Sequence, residues 1–263
     1  MKMVEPDRQS LLPENYEKLA KKERERMDSG ESYSESHLGA HYAYKHGINT
    51  ELIRNYAISE NYLASHYAES LHLFLESKYE KLQGNILDVG CSIGSITNAI
   101  TQLNKGKTYG IDNSEDAIDV ARSKYPNCIF FCGSAHKLNM FDNLSFNIIY
   151  ANEFYPFTRT NDIDFHLRFL TEFSTKLKKN GLVVLQMGAF ERGFVNNYKR
   201  YQKELKNIGF TSCKQYVVIP RKIFYFTGKI AYKKPFYQLL SLIFKTLFKS
   251  KVRYFYMLKK SEL

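Results

Sequence analysis

Residues 86–95 read ILDVGCSIGS, an apolar run that ends in Asp88 and opens at once into a turn holding Gly90 and Gly94. Ile86, Leu87 and Val89 have the character of a buried parallel strand, and Ile96, Ala99 and Ile100 keep the spacing of a helix face laid against it. The turn therefore joins a strand to a helix N-terminus. Backbone N–H groups there lack helical partners and carry partial positive charge, while glycine admits φ > 0 and lets a ligand approach closely. A carboxylate, phosphate or zwitterion suits such a place. The spacing is Asp-x-Gly-x-x-x-Gly, with the acid before the first glycine, and so differs from the Gly-x-Gly-x-x-Gly of dinucleotide-binding turns.

Further stretches follow in a recognisable order. KTYGIDNSEDAIDVA (107–121) ends a second strand in Asp112, IFFCGSAHKL (129–138) reads as a third strand and its turn, and SFNIIYANEFYPF (145–157) reads as a fourth. LKKNGLVVLQ (177–186) reads as a helix end, a glycine turn and a fifth strand, with Gly181 as the helix stop. Over roughly Leu82 to Leu185 this succession resembles the class I S-adenosylmethionine-dependent methyltransferases, and the ordered set is more specific than any one motif.

The resemblance implies a doubly wound, mostly parallel seven-stranded α/β sheet with S-adenosylmethionine as cofactor. It places Asp88 and Gly90 at the methionine part of the cofactor and lets the helix after Gly94 pack closely. Asp112, with Asn113 beside it, would meet the ribose, since a carboxylate offers two acceptor oxygens to a vicinal diol. Ser134 and Ala135 stand where the family commonly has Asp-Ala on the adenine side, and Asn152 would lie beside the methyl group. Three further departures are visible. Ser92 replaces a middle glycine and is expected to tolerate the turn at negative φ; Asn147 replaces an Asp; Pro156-Phe157 replaces a Glu-His pair. The cofactor half looks ordinary and the acceptor half does not.

Methyl transfer depends mostly on placing the nucleophile. A hydroxyl acceptor also needs a base, and Glu153, Tyr155, His136 and His166 are the candidates. Glu153 comes first because it follows Asn152 at a strand's carboxyl end, the edge where doubly wound sheets bind ligands; its other reading is a supporting hydrogen-bonding residue. The Asn-Pro-Pro-aromatic tetrad of nucleobase amino methylases is absent from ANEFYPF (151–157).

At 263 residues and 44% apolar content the chain can bury a full core. Cys91, Cys128, Cys132 and Cys213 fit no zinc spacing and read as reduced thiols. His37 and His41 form an i, i+4 pair, but no third ligand completes it, so no metal is expected. No signal peptide and no run of ~20 apolar residues is visible, which predicts a cytoplasmic protein, peripheral at most on the inner face of the membrane. Residues 1–81 read as helices, with Tyr42, Tyr44, Tyr56, Tyr62 and Tyr67 as pocket or core residues; the resemblance implies that they lid the cofactor and that residues 82–263 are the S-adenosylmethionine-binding domain.

Charge is distributed unevenly. Residues 214–263 hold twelve Lys and Arg against Glu262 alone, which accounts for the entire net charge of +11. The resemblance implies a sixth strand and an antiparallel seventh; FTSCKQYVVI (210–219) reads as the sixth and VRYFYMLKK (252–260) is the best candidate for the seventh, leaving 220–251 as a basic insertion. Within it, Gln238, Ser241, Lys245 and Lys249 recur at helical steps among Phe236, Tyr237, Leu239, Leu240, Leu242, Ile243, Phe244, Leu247 and Phe248. This predicts a helix with a broad apolar face that either packs on the domain or lies in an anionic membrane interface. Arg221, Lys222, Lys229, Lys233, Lys234, Lys251 and Arg253 favour the interface. The expected acceptor is a small or lipid-linked molecule, such as a hydroxyl of a glycan or a quinone precursor. The alternatives are an RNA methyltransferase gripping phosphates through the basic segment and a cofactor-binding protein without turnover.

Overall fold

In the computed structural model, the described residues are 45, 50–78, 83–159, 161–188, 201–248 and 252–262. A long helix, α1 (Thr50–Lys78), precedes the sheet. Next come β1 (Ile86–Val89), α2 (Ser95–Leu103), β2 (Thr108–Asp112), α3 (Glu115–Lys124) and β3 (Ile129–Cys132). The chain then crosses to β4 (Phe146–Asn152) and continues through α4 (Tyr155–Arg159), α5 (Ile163–Lys176) and β5 (Leu177–Gly188). It closes with α6 (Gln202–Asn207), β6 (Phe210–Val218), α7 (Arg221–Thr227), a 3-10 turn (Gly228–Tyr232), α8 (Phe236–Leu247) and β7 (Arg253–Lys260). The sheet order is β3-β2-β1-β4-β5-β7-β6, and β7 runs antiparallel to both of its neighbours. The predicted seven-stranded, doubly wound α/β sheet is present, with a helix before it and a helical insertion before its last strand.

Local chemistry sets the helix starts. Ser114 caps α3 by accepting from the Ala117 N–H, with Glu115 and Asp116 in the first turn and Arg122 and Lys124 in the last, as the helix dipole favours. Asp162 caps α5 by accepting from the Phe165 N–H at 3.0 Å. One sheet face, carrying Leu87, Val89, Ile149 and Leu185, is covered by the aromatic side of α5 through Phe165, Phe169 and Phe173. The other face, carrying Ile86, Tyr150, Val184 and Phe255, is covered by Leu71 and Phe74 of α1 and by Phe224, Tyr232 and Tyr237 of the insertion.

Gly181 does not stop a helix. The last helical residue of α5 is Lys176, Leu177 follows in extended conformation, and the left-handed residue of the connection is Asn180 at φ +60°. Gly181 lies inside β5, where a Cβ would come within 2.9 Å of the Lys178 carbonyl oxygen and 3.1 Å of that of Asn147. Close approach of two backbones, not helix termination, requires the glycine there. The residues 37, 41, 42, 44 and 46 and the side chains of Tyr56 and Tyr62 lie outside the described set. Among the described residues no helix is long and apolar enough to cross a membrane.

Candidate active site

Strands β3, β2 and β1 succeed one another in one direction and β4 lies on the far side of β1, so the winding reverses between β1 and β4. In open parallel sheets a ligand crevice forms at that switch point, outside the carboxyl ends of the strands. The turn after β1 stands there. Gly90 and Cys91 donate to the Ile111 carbonyl at 2.8 and 3.0 Å, and Gly94 donates back to Cys91. Gly90 at φ +71° and Gly94 at φ +82° occupy the left-handed region, and a Cβ on Gly94 would meet Phe130 at 2.6 Å.

Ser92 also has a positive φ, +52°, contrary to the expected negative value. The turn imposes its left-handed geometry on a serine where a glycine would sit without strain, and the Ser92 N–H is used in return: it donates to Asp112 Oδ2 at 2.9 Å. The Ser114 N–H donates to Oδ1 of the same carboxylate at 3.0 Å. Asp112 is thereby held from both sides at the end of β2, half-buried, and each oxygen keeps a lone pair for a hydroxyl donor. Asn113 follows, half-buried.

Asp88 is placed differently from a ligand-facing acid. It is 2% exposed and accepts from Thr97 Oγ1 of α2 at 2.7 Å, so it braces the strand–turn–helix unit from beneath. After β3, Ser134 Oγ and His136 Nδ1 lie 2.6 Å apart, and Ala135 is buried. The His136 ring meets Phe169 edge-on, and Phe169 in turn meets Phe154, which brings the β3 and β4 connections together above the crevice. At the end of β4, Asn152 Oδ1 is buried without a hydrogen-bond partner among the described residues, and so is Nε2 of Gln186, its cross-strand neighbour on β5. Such orphaned groups at a ligand edge are suited to a polar ligand.

Glu153, at φ +49°, is engaged. Its Oε1 accepts from the Gly188 N–H at 2.8 Å and from Arg253 at 2.5 Å, and the Arg253 guanidinium lies 5.1 Å from the centre of the Tyr67 ring. Its carboxylate thus ties the carboxyl ends of β4 and β5 to the start of β7. Tyr155 opens α4, half-buried. His166 is fully buried beneath α4, its Nδ1 2.5 Å from the Tyr201 hydroxyl and its ring stacked on that residue, so it belongs to the core and not to the crevice. Phe154 and Arg253 were not singled out for the site by sequence. Phe154 leans across the switch point onto Gly90, where a Cβ would come within 2.9 Å of its ring. Upstream, Lys45 pairs with Asp116 and Asp119 of α3 at 3.0 and 2.6 Å, which raises the lysine's pKa, and this puts one residue of the N-terminal segment beside the helix that follows Asp112.

Residues 86–181 match the family described as a methyltransferase domain. This stretch is a class I S-adenosylmethionine-dependent methyltransferase domain. A curated relative, the demethylmenaquinone methyltransferase of Chlorobaculum tepidum, is 36% identical over 66 residues, which are 25% of this chain. That match spans about a quarter of the relative's length. Two solved structures share the fold of this methyltransferase domain. One is a Haloferax volcanii protein, described as a methyltransferase, in complex with the Trm112 methyltransferase activator: TM-score 0.55, 14% identity, covering 88% of this chain and 100% of that one. The other, from Methanococcus maripaludis, is described as an S-adenosylmethionine-dependent methyltransferase: TM-score 0.52, 13% identity, covering 79% of this chain and 90% of that one.

Proposed function

We propose that this protein transfers a methyl group from S-adenosylmethionine to a small or lipid-linked acceptor held at the carboxyl edge of β4 and β5. The observation that carries this is the Asp112 carboxylate, fixed by the Ser92 and Ser114 N–H groups beside the Gly90–Gly94 turn. S-adenosylmethionine, when bound, supplies an electrophilic methyl group on a sulfonium. The residues fit it: Asp112 accepts the ribose hydroxyls, the turn from Gly90 to Gly94 and the N-terminus of α2 receive the amino-acid part, and Asn152 offers its orphaned Oδ1 to a polar group nearby. Ser134 and Ala135 border the adenine side. Phe154, leaning over Gly90, excludes water from the reacting end.

Glu153 positions the edge, its Oε1 accepting from a guanidinium and a backbone N–H. For a hydroxyl acceptor, His136 is the base: its ring lies against Phe169, next to Phe154, and its contact with Ser134 fixes its orientation. Incubation with methyl-labelled S-adenosylmethionine and extract from cells lacking the enzyme tests the acceptor class. Label in the organic or small polar fraction is expected; label in RNA would make the acceptor a nucleic acid, and absence of label from every fraction would make this a cofactor-binding protein. In calorimetry Asp112→Ala should weaken S-adenosylmethionine binding at least tenfold, because a buried-edge pair of charge-assisted hydrogen bonds is lost. Unchanged affinity would overturn the ribose assignment.

A further inference from the structure

The insertion between β6 and β7 forms a cap over one sheet face, and its inner side is firmly anchored. Phe224, Tyr232 and Tyr237 are buried against Phe74 and Phe255, the Tyr232 hydroxyl accepts from the Ile219 N–H at 3.2 Å, and the Tyr237 hydroxyl donates to the Val217 carbonyl at 2.9 Å. The cap is therefore a preformed part of the domain.

Its outer side is equally apolar. Tyr225 and Phe226 are 82% and 85% exposed, Ile230 57%, and Leu239, Leu242 and Leu247 between 54% and 72%. Of the ten large apolar residues exposed among the described residues, seven fall in residues 225–248, so the exposure is concentrated and not the scatter ordinary for a surface. Helix α8 explains how. Tyr237 and Phe244 point to the domain, while Leu239 and Leu242 project on the opposite side, so the broad apolar face expected from sequence is two faces, one covered and one bare.

Lys222, Lys229, Lys233, Lys234 and Lys245 accompany this bare face and are all exposed, and no Asp or Glu occurs from Lys214 to Ser261. A cavity of about 570 Å³ between α1 and α7, bordered by Arg221, Lys229 and Tyr225 on the cap side and by Glu69 of α1, adds a polar recess beside it. Tyr225 and Phe226 could stack on bases, but Ile230, Leu239, Leu242 and Leu247 make most of the face aliphatic and offer nothing to a nucleic acid, and lysines without acids oppose a second copy of the same surface. Apolar side chains interspersed with lysine match the acyl–headgroup boundary of an anionic bilayer. Both ends of the cap, Pro220 and Arg253, leave the sheet at its carboxyl edge, where β6 and β7 meet Gly188 of β5.

We propose that the outer face of this cap docks the protein on an anionic lipid surface and so brings the carboxyl edge of the sheet to a membrane. This goes beyond the methyl-transfer reading and stands without it. The test is co-sedimentation of the full chain with phosphatidylcholine vesicles, with and without phosphatidylglycerol. The native chain should sediment with the anionic vesicles, less so as salt rises, and hardly at all with phosphatidylcholine alone. Tyr225→Ser/Phe226→Ser and Leu239→Ser/Leu242→Ser should each lower partitioning about tenfold or more, and Lys233→Glu/Lys234→Glu severalfold. These side chains are exposed, so thermal midpoints and S-adenosylmethionine affinity should stay at native values, which separates a failure of docking from a failure of the cofactor assignment. A native chain that remains in the supernatant at low salt, or variants that sediment as the native chain does, would overturn the proposal. So would a concentration-dependent dimer, or retention on RNA, that the same substitutions abolish while vesicle binding is absent.

Discussion

Ser92 and Gly94 hold the cofactor turn in conformations that few side chains accept, and each predicts a distinct cost. At φ +52°, Ser92 tolerates the left-handed region because its side chain is small and unbranched at Cβ; Ser92→Val should destabilise by about 1–3 kcal/mol, read from chemical denaturation. Gly94→Ala adds a clash 2.6 Å from Phe130 to a φ of +82° and should cost about 2–4 kcal/mol together with cofactor affinity. Glu153 poses a sharper question, since its place after Asn152 marks it as a base and its contacts mark it as a tie. Glu153→Gln keeps an acceptor for the Gly188 N–H and Arg253, so it should retain most of kcat, whereas Glu153→Ala should lose about 1–3 kcal/mol of stability. A hundredfold drop in kcat for the Gln variant with its midpoint unchanged would restore the base assignment. Asp112 was legible because an acid closing a second strand is a local pattern. The Glu153–Arg253 pair was not, because its partners stand 100 residues apart and no spacing announces them.

At the scale of elements, α1 is more than a cover. His66, on its buried side, lies between the rings of Tyr67 and Phe224 and is 6% exposed; burial, aided by the positive charge of Arg253, lowers its pKa to about 4 from an ordinary 6.5. The unfolded chain then binds more protons than the folded one between those two values. Stability is full above pH 6.5 and falls as pH drops toward 4, by at most about 3 kcal/mol. Denaturant midpoints followed from pH 7 to pH 4 should decline more steeply for the native chain than for His66→Phe; parallel curves would show that this histidine does not hold α1 to the cap. The helix itself and β1 were legible from apolar runs and their punctuation, whereas the later strands, the one at 252–260 included, were placed by the resemblance. The division of α8 into a covered and a bare face was not legible, because periodicity reports which residues are apolar and says nothing about which neighbour reaches them.

At the scale of the molecule, the segment that carries all the net charge also completes the fold. Within residues 214–263, β7 lies between β5 and β6, with Phe255, Tyr256 and Leu258 fully buried. The basic surface and the core are therefore one continuous piece of chain and cannot be separated by truncation. Deleting residues 252–263 would leave β5 and β6 facing each other across an empty strand position and strip seven residue positions of ladder pairing from β5 alone. Each large apolar side chain of β7 contributes ~2 kcal/mol of burial, and four or five of them exceed a large part of the ~5–15 kcal/mol that holds a domain together. The truncated chain should accordingly lose its cooperative thermal transition in circular dichroism and accumulate in the insoluble fraction, whereas Lys259→Ala, which reduces the charge at the end of the same strand, should remain folded. A truncated protein that melts cooperatively near the native midpoint would mean that the six remaining strands close the sheet without β7, and that the basic end is dispensable to the fold.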